Sequence, residues 1–270
     1  LFSSYELDSS KMSSGVFRHG ALSGDKESIF HKDGKTASID VYTFDNILTL
    51  ATNGKPDASI TLKHDQGISD DITEVLLGAI PLAIKGDIKT AAVIGMGSGV
   101  TSHVLLHDSN IQSLEVIEIE DAIIDAAKLF GPRSSNNFTD NRCEIHIEDA
   151  KTFFVNQQKK YDLIFSEPSN PWVSGVSSLF SKEFYQLTKQ HLTEKGVFAQ
   201  WLQLYEINDE LVVSVLKALS SAFPHYDIFF AGKGNLLIIA KLTNEPLNYS
   251  ENLFSSSGLV KELAGIGVDS

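Results

Sequence analysis

The chain holds one cysteine, Cys143, in 270 residues, which excludes an internal disulfide and a cysteine cluster for zinc. It has no run near the roughly 18 apolar residues of a membrane span. The longest candidate, residues 75–84, is broken by Gly78 and Pro81. Cations are scarce: 22 Lys and Arg stand against 35 Asp and Glu, a net charge of -13. That argues against a nucleic-acid partner and favours cationic ligands, although an ordinary acidic soluble protein has the same balance. The eight histidines show no H-E-x-x-H or comparable spacing, so no metal is expected. No G-x-S-x-G elbow is present, which removes the usual hydrolase reading. No signal peptide is visible, and a reducing, cytoplasmic location is expected. The first residue is Leu1 rather than Met, as expected of a piece of a longer protein.

Hydrophobic residues make up 42% of the chain, enough to fill a core. Residues 1–24, rich in Ser and Gly, read as an irregular leading segment. Residues 27–62 alternate as strands do, with Ile39, Val41 and Tyr42 around Asp40, then Ile47, Leu48 and Leu50. Turn residues at 32–35 and 52–55 divide them, and an antiparallel meander of three or four strands is expected. Residues 70–84 read as a helix with Asp70 or Asp71 near its start. From residue 90 strands and helices alternate. Strands are expected over 91–95, 113–119, 143–147, 161–166, 195–203, 225–231 and 235–241. Helices fit 99–107, 120–130, 149–157, 180–192 and 207–222, with a weak one over 250–264. A hairpin turn at 231–234 makes one strand antiparallel in a seven-stranded, mostly parallel sheet. The expected fold is therefore α/β. A small N-terminal antiparallel β-domain (1–65) precedes a Rossmann-like, methyltransferase-type catalytic domain (66–270).

The most informative stretch is Ala91 to Val100, an apolar run ending in the turn Gly95-Met96-Gly97-Ser98-Gly99. A second apolar run, Val116 to Glu120, carries the carboxylate of Glu118 about twenty residues on. Strand, glycine turn, helix, strand and acid in that order are the layout of a nucleotide-type cofactor site, with the acid on a ribose. A bare tight turn is the alternative. Asp149, followed by Ala150, fits two roles: a helix N-cap, or an acceptor for an adenine amino group. Glu167 lies in a loop stiffened by Pro168 and Pro171, and is either a solvated turn acid or a group that holds and deprotonates an amine. Trp172 walls a pocket or packs beneath the loop. His64 beside Asp65 is a second, weaker acid–base candidate.

These residues resemble the polyamine aminopropyltransferases, the spermidine synthase family, from about residue 30 to residue 241. The likeness is strongest at Gly95–Gly99, Val116–Glu120, Glu148–Ala150, Tyr161–Pro171 and Ser177–Tyr185. Residues 53–59 and 166–172 are similar to one branch, often joined to membrane-spanning segments. The resemblance implies a donor, decarboxylated S-adenosylmethionine, a polyamine acceptor, methylthioadenosine as by-product, and a homodimer. It implies donor contacts at Gly95, Gly97, Ser98, Gly99, Glu118, Ile119, Asp149 and Ala150, with Glu167 catalytic. Asn170 and Gln200 resemble amine-binding positions.

Three departures stand out. Ser98 replaces the family's turn aspartate, Asn170 replaces the second acid of its loop, and Asn53-Gly54-Lys55-Pro56-Asp57 replaces Asp-Gly-x-x-Gln. Each lost charge beside a bound ammonium is worth about 4 kcal/mol at 4 Å and an effective dielectric near 20. Asp57, Glu74 and Asp65 are candidates to compensate. Two other readings are an S-adenosylmethionine-dependent methyltransferase, motivated by Ser98, and a ligand-sensing domain of a membrane protein without turnover.

Overall fold

Two-residue turns with left-handed backbones shape the first sheet. Asp45 and Asn46 (φ 45° and 66°) and Asn53 and Gly54 (φ 51° and 75°) carry the positive φ pairs that match strand twist in tight hairpins. They join β2 (Ser38–Phe44), β3 (Ile47–Thr52) and β4 (Lys55–Thr61), with β1 (Glu27–Asp33) on the outer edge of β2. The result is a four-stranded antiparallel meander. The computed structural model describes residues 27–62, 69–169, 171, 175–205, 207–232, 234–247 and 251–268. The expected leading segment, the 65/66 domain boundary, His64, Asp65, Asn170 and Trp172 lie outside the described residues.

Ile39, Val41, Leu48, Leu50, Ala58 and Ile60 of the meander are buried in one core with Val75, Leu77, Val93, Leu163 and Phe165 of the larger body. Burial of this alternating set is what ties the small sheet down. Helix α1 (Ser69–Ile84) follows, with Asp70 and Asp71 in its first turn. Asp71 Oδ2 accepts the Thr61 amide at 2.9 Å, joining β4 to that turn.

The second sheet contains β5 (Thr90–Ile94), β6 (Ser113–Glu118), β7 (Cys143–Ile147), β8 (Tyr161–Ser166), β9 (Leu192–Gln203), β10 (His225–Phe230) and β11 (Asn235–Lys241). Its spatial order is β7-β6-β5-β8-β9-β11-β10, and β11 runs opposite to the other six strands. This is the expected Rossmann-like, methyltransferase-type sheet. The connecting helices are α2 (Val100–Leu105), α3 (Asp121–Lys128), α4 (Asn136–Thr139), α5 (Ala150–Val155), α6 (Lys182–Gln190) and α7 (Asp209–Ser220); α8 (Ser257–Gly265) closes the described chain. The four-residue α4 and the 3-10 turns at Gly131–Arg133 and Val176–Phe180 were not expected from the sequence; each is too short to show a 3.6-residue period.

The chain leaves β5 toward β6 and β7 on one side, then crosses to β8 on the other. Strand order therefore reverses between β5 and β8, and a crevice opens at their carboxyl ends. That topology places the glycine turn after β5 beside the loop after β8.

Candidate active site

Gly95 begins the turn, its amide donating to the Ile117 carbonyl at 2.9 Å. Its φ is +88°, and a Cβ there would stand 2.6 Å from the Glu167 carbonyl oxygen. Only glycine lets the two loops close on each other. Gly97 (φ +51°) is different: a Cβ would meet nothing within 4 Å, so its backbone faces open space. Gly99 precedes α2 with φ +81°.

Glu118 ends β6 and is buried on the other side of this turn. Its Oε2 accepts the Met96 amide at 2.9 Å and its Oε1 accepts the Glu120 amide at 3.0 Å. Burial raises its pKa, and the backbone donors oppose that rise. Each oxygen keeps a second lone pair, which suits a cis-diol. Ile119 and Ile147, at the tips of the buried β6 and the edge strand β7, are exposed to 49% and 61%. Asp149 caps α5, its Oδ1 accepting the Thr152 amide at 3.0 Å, and Ala150 is buried beneath. The capping role foreseen for Asp149 is thus present, and it leaves the carboxylate at the crevice edge.

On the β8 side two acids converge. Ser98 Oγ donates to Glu74 Oε2 at 2.8 Å and accepts the Val100 amide at 3.1 Å. Thr101 Oγ1 donates to Glu167 Oε1 at 3.2 Å and lies 3.3 Å from the Glu74 carbonyl oxygen. Burial pushes the Glu74 carboxyl well above its ordinary range, and the nearby Glu167 raises it further. Burial pushes Glu167 up to about 8, with the Thr101 hydroxyl opposing. At neutral pH the Glu167 carboxyl is mainly protonated, and it can ionise for an incoming cation; the upward shift of Glu74 has the same cause, burial. A carboxyl from α1 therefore stands beside the Ser98 hydroxyl of the turn.

Asp57 arrives from β4. Its Oδ1 accepts Lys55 Nζ at 2.5 Å and Ser169 Oγ at 3.0 Å, two residues past Glu167. The meander thus forms one wall of the crevice. Gln200 pairs in register with Ser166, the last residue of β8. It alternates with Phe198 and Leu202 on the opposite sheet face, and its side chain is held by the Tyr185 hydroxyl at 3.1 Å and Ser166 Oγ at 3.2 Å. Its hydrogen bonds thus reach Ser166, the residue before Glu167, and not the two acids themselves.

Sequence reasoning passed over Thr101, Lys55 and Glu120. Glu120 caps α3 and accepts Thr36 N at 2.6 Å, fastening the β1–β2 turn to the catalytic sheet. Nothing in its local pattern marks an 84-residue contact. His103 and His107, one helical turn apart, meet Glu262 away from the crevice. Glu262 already faces Arg133 at 2.9 Å, and His103 Nδ1 accepts the Asn136 amide, which leaves the proton on Nε2.

Sheet order and the strand-tip acids define a Rossmann-like transferase fold of the methyltransferase type. The spermine/spermidine synthase domain matches residues 70–232, and the chain belongs to that family. A polyamine aminopropyltransferase of Alkaliphilus metalliredigens is 26% identical over 211 residues, 76% of this chain and 71% of that protein. One of Lachnospira eligens is 27% identical over 147 residues, 54% of this chain; the matched part spans 51% of that relative. Spermidine synthase from Thermotoga maritima superposes with a TM-score of 0.72 at 21% identity, covering 86% of this chain and 79% of that one, a likeness of fold. Family membership supports a reaction of the aminopropyltransferase, spermidine-synthase-like kind.

Proposed function

We propose that this chain moves the aminopropyl group of decarboxylated S-adenosylmethionine to a polyamine acceptor. The observation that carries the reading is the convergence of Glu74 and Glu167, through Ser98 and Thr101, in the crevice that Glu118 borders. Glu118 takes the ribose hydroxyls, Ile119 and Ile147 flank the adenine, and Asp149 accepts its amino group above Ala150. The open backbone at Gly97 admits the sulfonium. Glu74 ionises to pair the donor's aminopropyl ammonium. A carboxylated donor would bring a second acid against Glu74, which favours the decarboxylated one.

Glu167, which gives up its own proton to solvent as the cationic acceptor enters, takes a proton from the acceptor's ammonium as the carboxylate and returns it to solvent after turnover. Raised to about 8, it is closer to an alkylamine than an ordinary glutamate is, so the transfer is less uphill. The freed nitrogen attacks the carbon beside the sulfonium. The C–N bond forms as the C–S bond breaks, the pair returns to sulfur, and methylthioadenosine leaves while the product departs as a secondary ammonium. The sulfonium is its own leaving group, so positioning and water exclusion supply most of the rate. Asn170 is assigned to the acceptor as a neutral hydrogen-bond partner.

The test is methylthioadenosine release with a panel of mono- and diamines. We expect release by the wild type. Glu167→Gln should lose it by at least a hundredfold while still binding donor. Full turnover in Glu167→Gln removes that residue from the mechanism. Donor binding without release for any amine supports the sensing reading instead.

A further inference from the structure

The Asp57 carboxylate faces the Glu167 loop, yet its charge is already matched. Lys55 and Asp57 lie on one face of β4, two residues apart, with side chains 14% and 15% exposed. Lys55 Nζ is 2.5 Å from Asp57 Oδ1 and 3.3 Å from Ser169 Oγ, and Ser169 Oγ in turn donates to Asp57 Oδ1 at 3.0 Å. The triangle is therefore a primary ammonium bound by a carboxylate and a hydroxyl, two residues past Glu167 in the chain. That is the environment a diamine's second ammonium would need, and a side chain of the protein occupies it. An enclosed ammonium repels a second one far more strongly than it would in water. Removing it leaves an enclosed carboxylate without its cation, which draws a replacement.

We propose that Lys55 is a specificity-determining residue. Its ammonium takes the anchor for the acceptor's second charge, so that acceptors are held through one ammonium, at Glu167, and diamines gain nothing over monoamines. The inference rests on the aminopropyl-transfer reading and narrows its acceptor class. The side-chain stem of Lys55 sets the blocking position, so the charge rather than the bulk is the operative feature. Lys55→Met removes the charge and keeps most of the stem; Lys55→Arg keeps the charge.

The experiment is calorimetric titration of 1,4-diaminobutane and 1-aminobutane into the full chain saturated with methylthioadenosine, for wild type, Lys55→Met and Lys55→Arg. The expected wild-type affinities for the two amines agree within threefold, and Lys55→Arg keeps that ratio. Lys55→Met shifts the ratio at least tenfold toward the diamine. The proposal is overturned by a wild type that prefers the diamine tenfold or more, by a ratio that Lys55→Met moves less than threefold, or by no amine binding at all. Methylthioadenosine release, measured alongside with both amines, reports separately on the aminopropyl-transfer reading, so the two can fail independently.

Discussion

Burial of the Glu167 carboxyl makes its contribution to stability depend on pH. Its pKa of about 8 lies above the ordinary value of 4.5, so the folded protein binds its proton more tightly than the unfolded chain does. The stability this contributes is complete below about pH 4.5 and is lost as pH rises through about 8. Glu167→Gln, which cannot ionise, should therefore melt on the order of 10 °C higher than the wild type at pH 9, with the difference gone near pH 4. Calorimetric melting curves at the two pH values check this; equal melting points at pH 9 would mean that the carboxyl is well solvated. The same residue scale explains the limits of the sequence. Glu118 and Glu167 stand at strand ends and are legible from their neighbours. Glu74 belongs with Ser98 only because α1 packs under the turn, 24 residues away along the chain. Gln200 bonds Ser166, the residue before Glu167, a contact 34 residues apart that strand pairing makes and local pattern does not show.

At the scale of elements, long periodic segments were readable and short ones were not. The seven strands and the helices from α1 to α7 carry apolar runs or 3.6-residue stripes, and they fall where expected apart from α4. The Asp45-Asn46 turn lacks the glycine that marks Asn53-Gly54, and it escaped notice although its backbone is equally left-handed. The attachment of the meander was also invisible. Beyond the shared apolar core, Glu120 adds a polar tie, with burial working against ionisation and the Thr36 and Ala122 amides and the Thr36 hydroxyl outweighing it, so that the carboxyl is held at about 2. That stabilisation is present above about pH 4.5 and is lost as pH falls through about 2. Glu120→Ala removes both the cap of α3 and the tie to residues 36 and 37, and should cost about 2 kcal/mol in urea denaturation at pH 7. A cost below about 0.5 kcal/mol would show that apolar packing alone seats the meander.

Over the whole molecule, the net charge of -13 works with the crevice acids. A cationic amine is drawn by the summed field, and salt screens that field beyond about a Debye length. The kcat/KM for amines should fall several-fold between about 0.05 and 0.5 M salt. Methylthioadenosine is neutral, and its affinity should change less than twofold over the same range. Among the described residues no helix is long and apolar enough to cross a membrane.

The most direct test of the central claim is calorimetric binding of two donors, S-adenosylmethionine and its decarboxylated form, to the wild-type chain. An adenosyl group pinned by Glu118, with its aminopropyl end at Glu74 and Glu167, predicts at least tenfold tighter binding of the decarboxylated donor. Equal affinities, or preference for the carboxylated donor, would contradict the account.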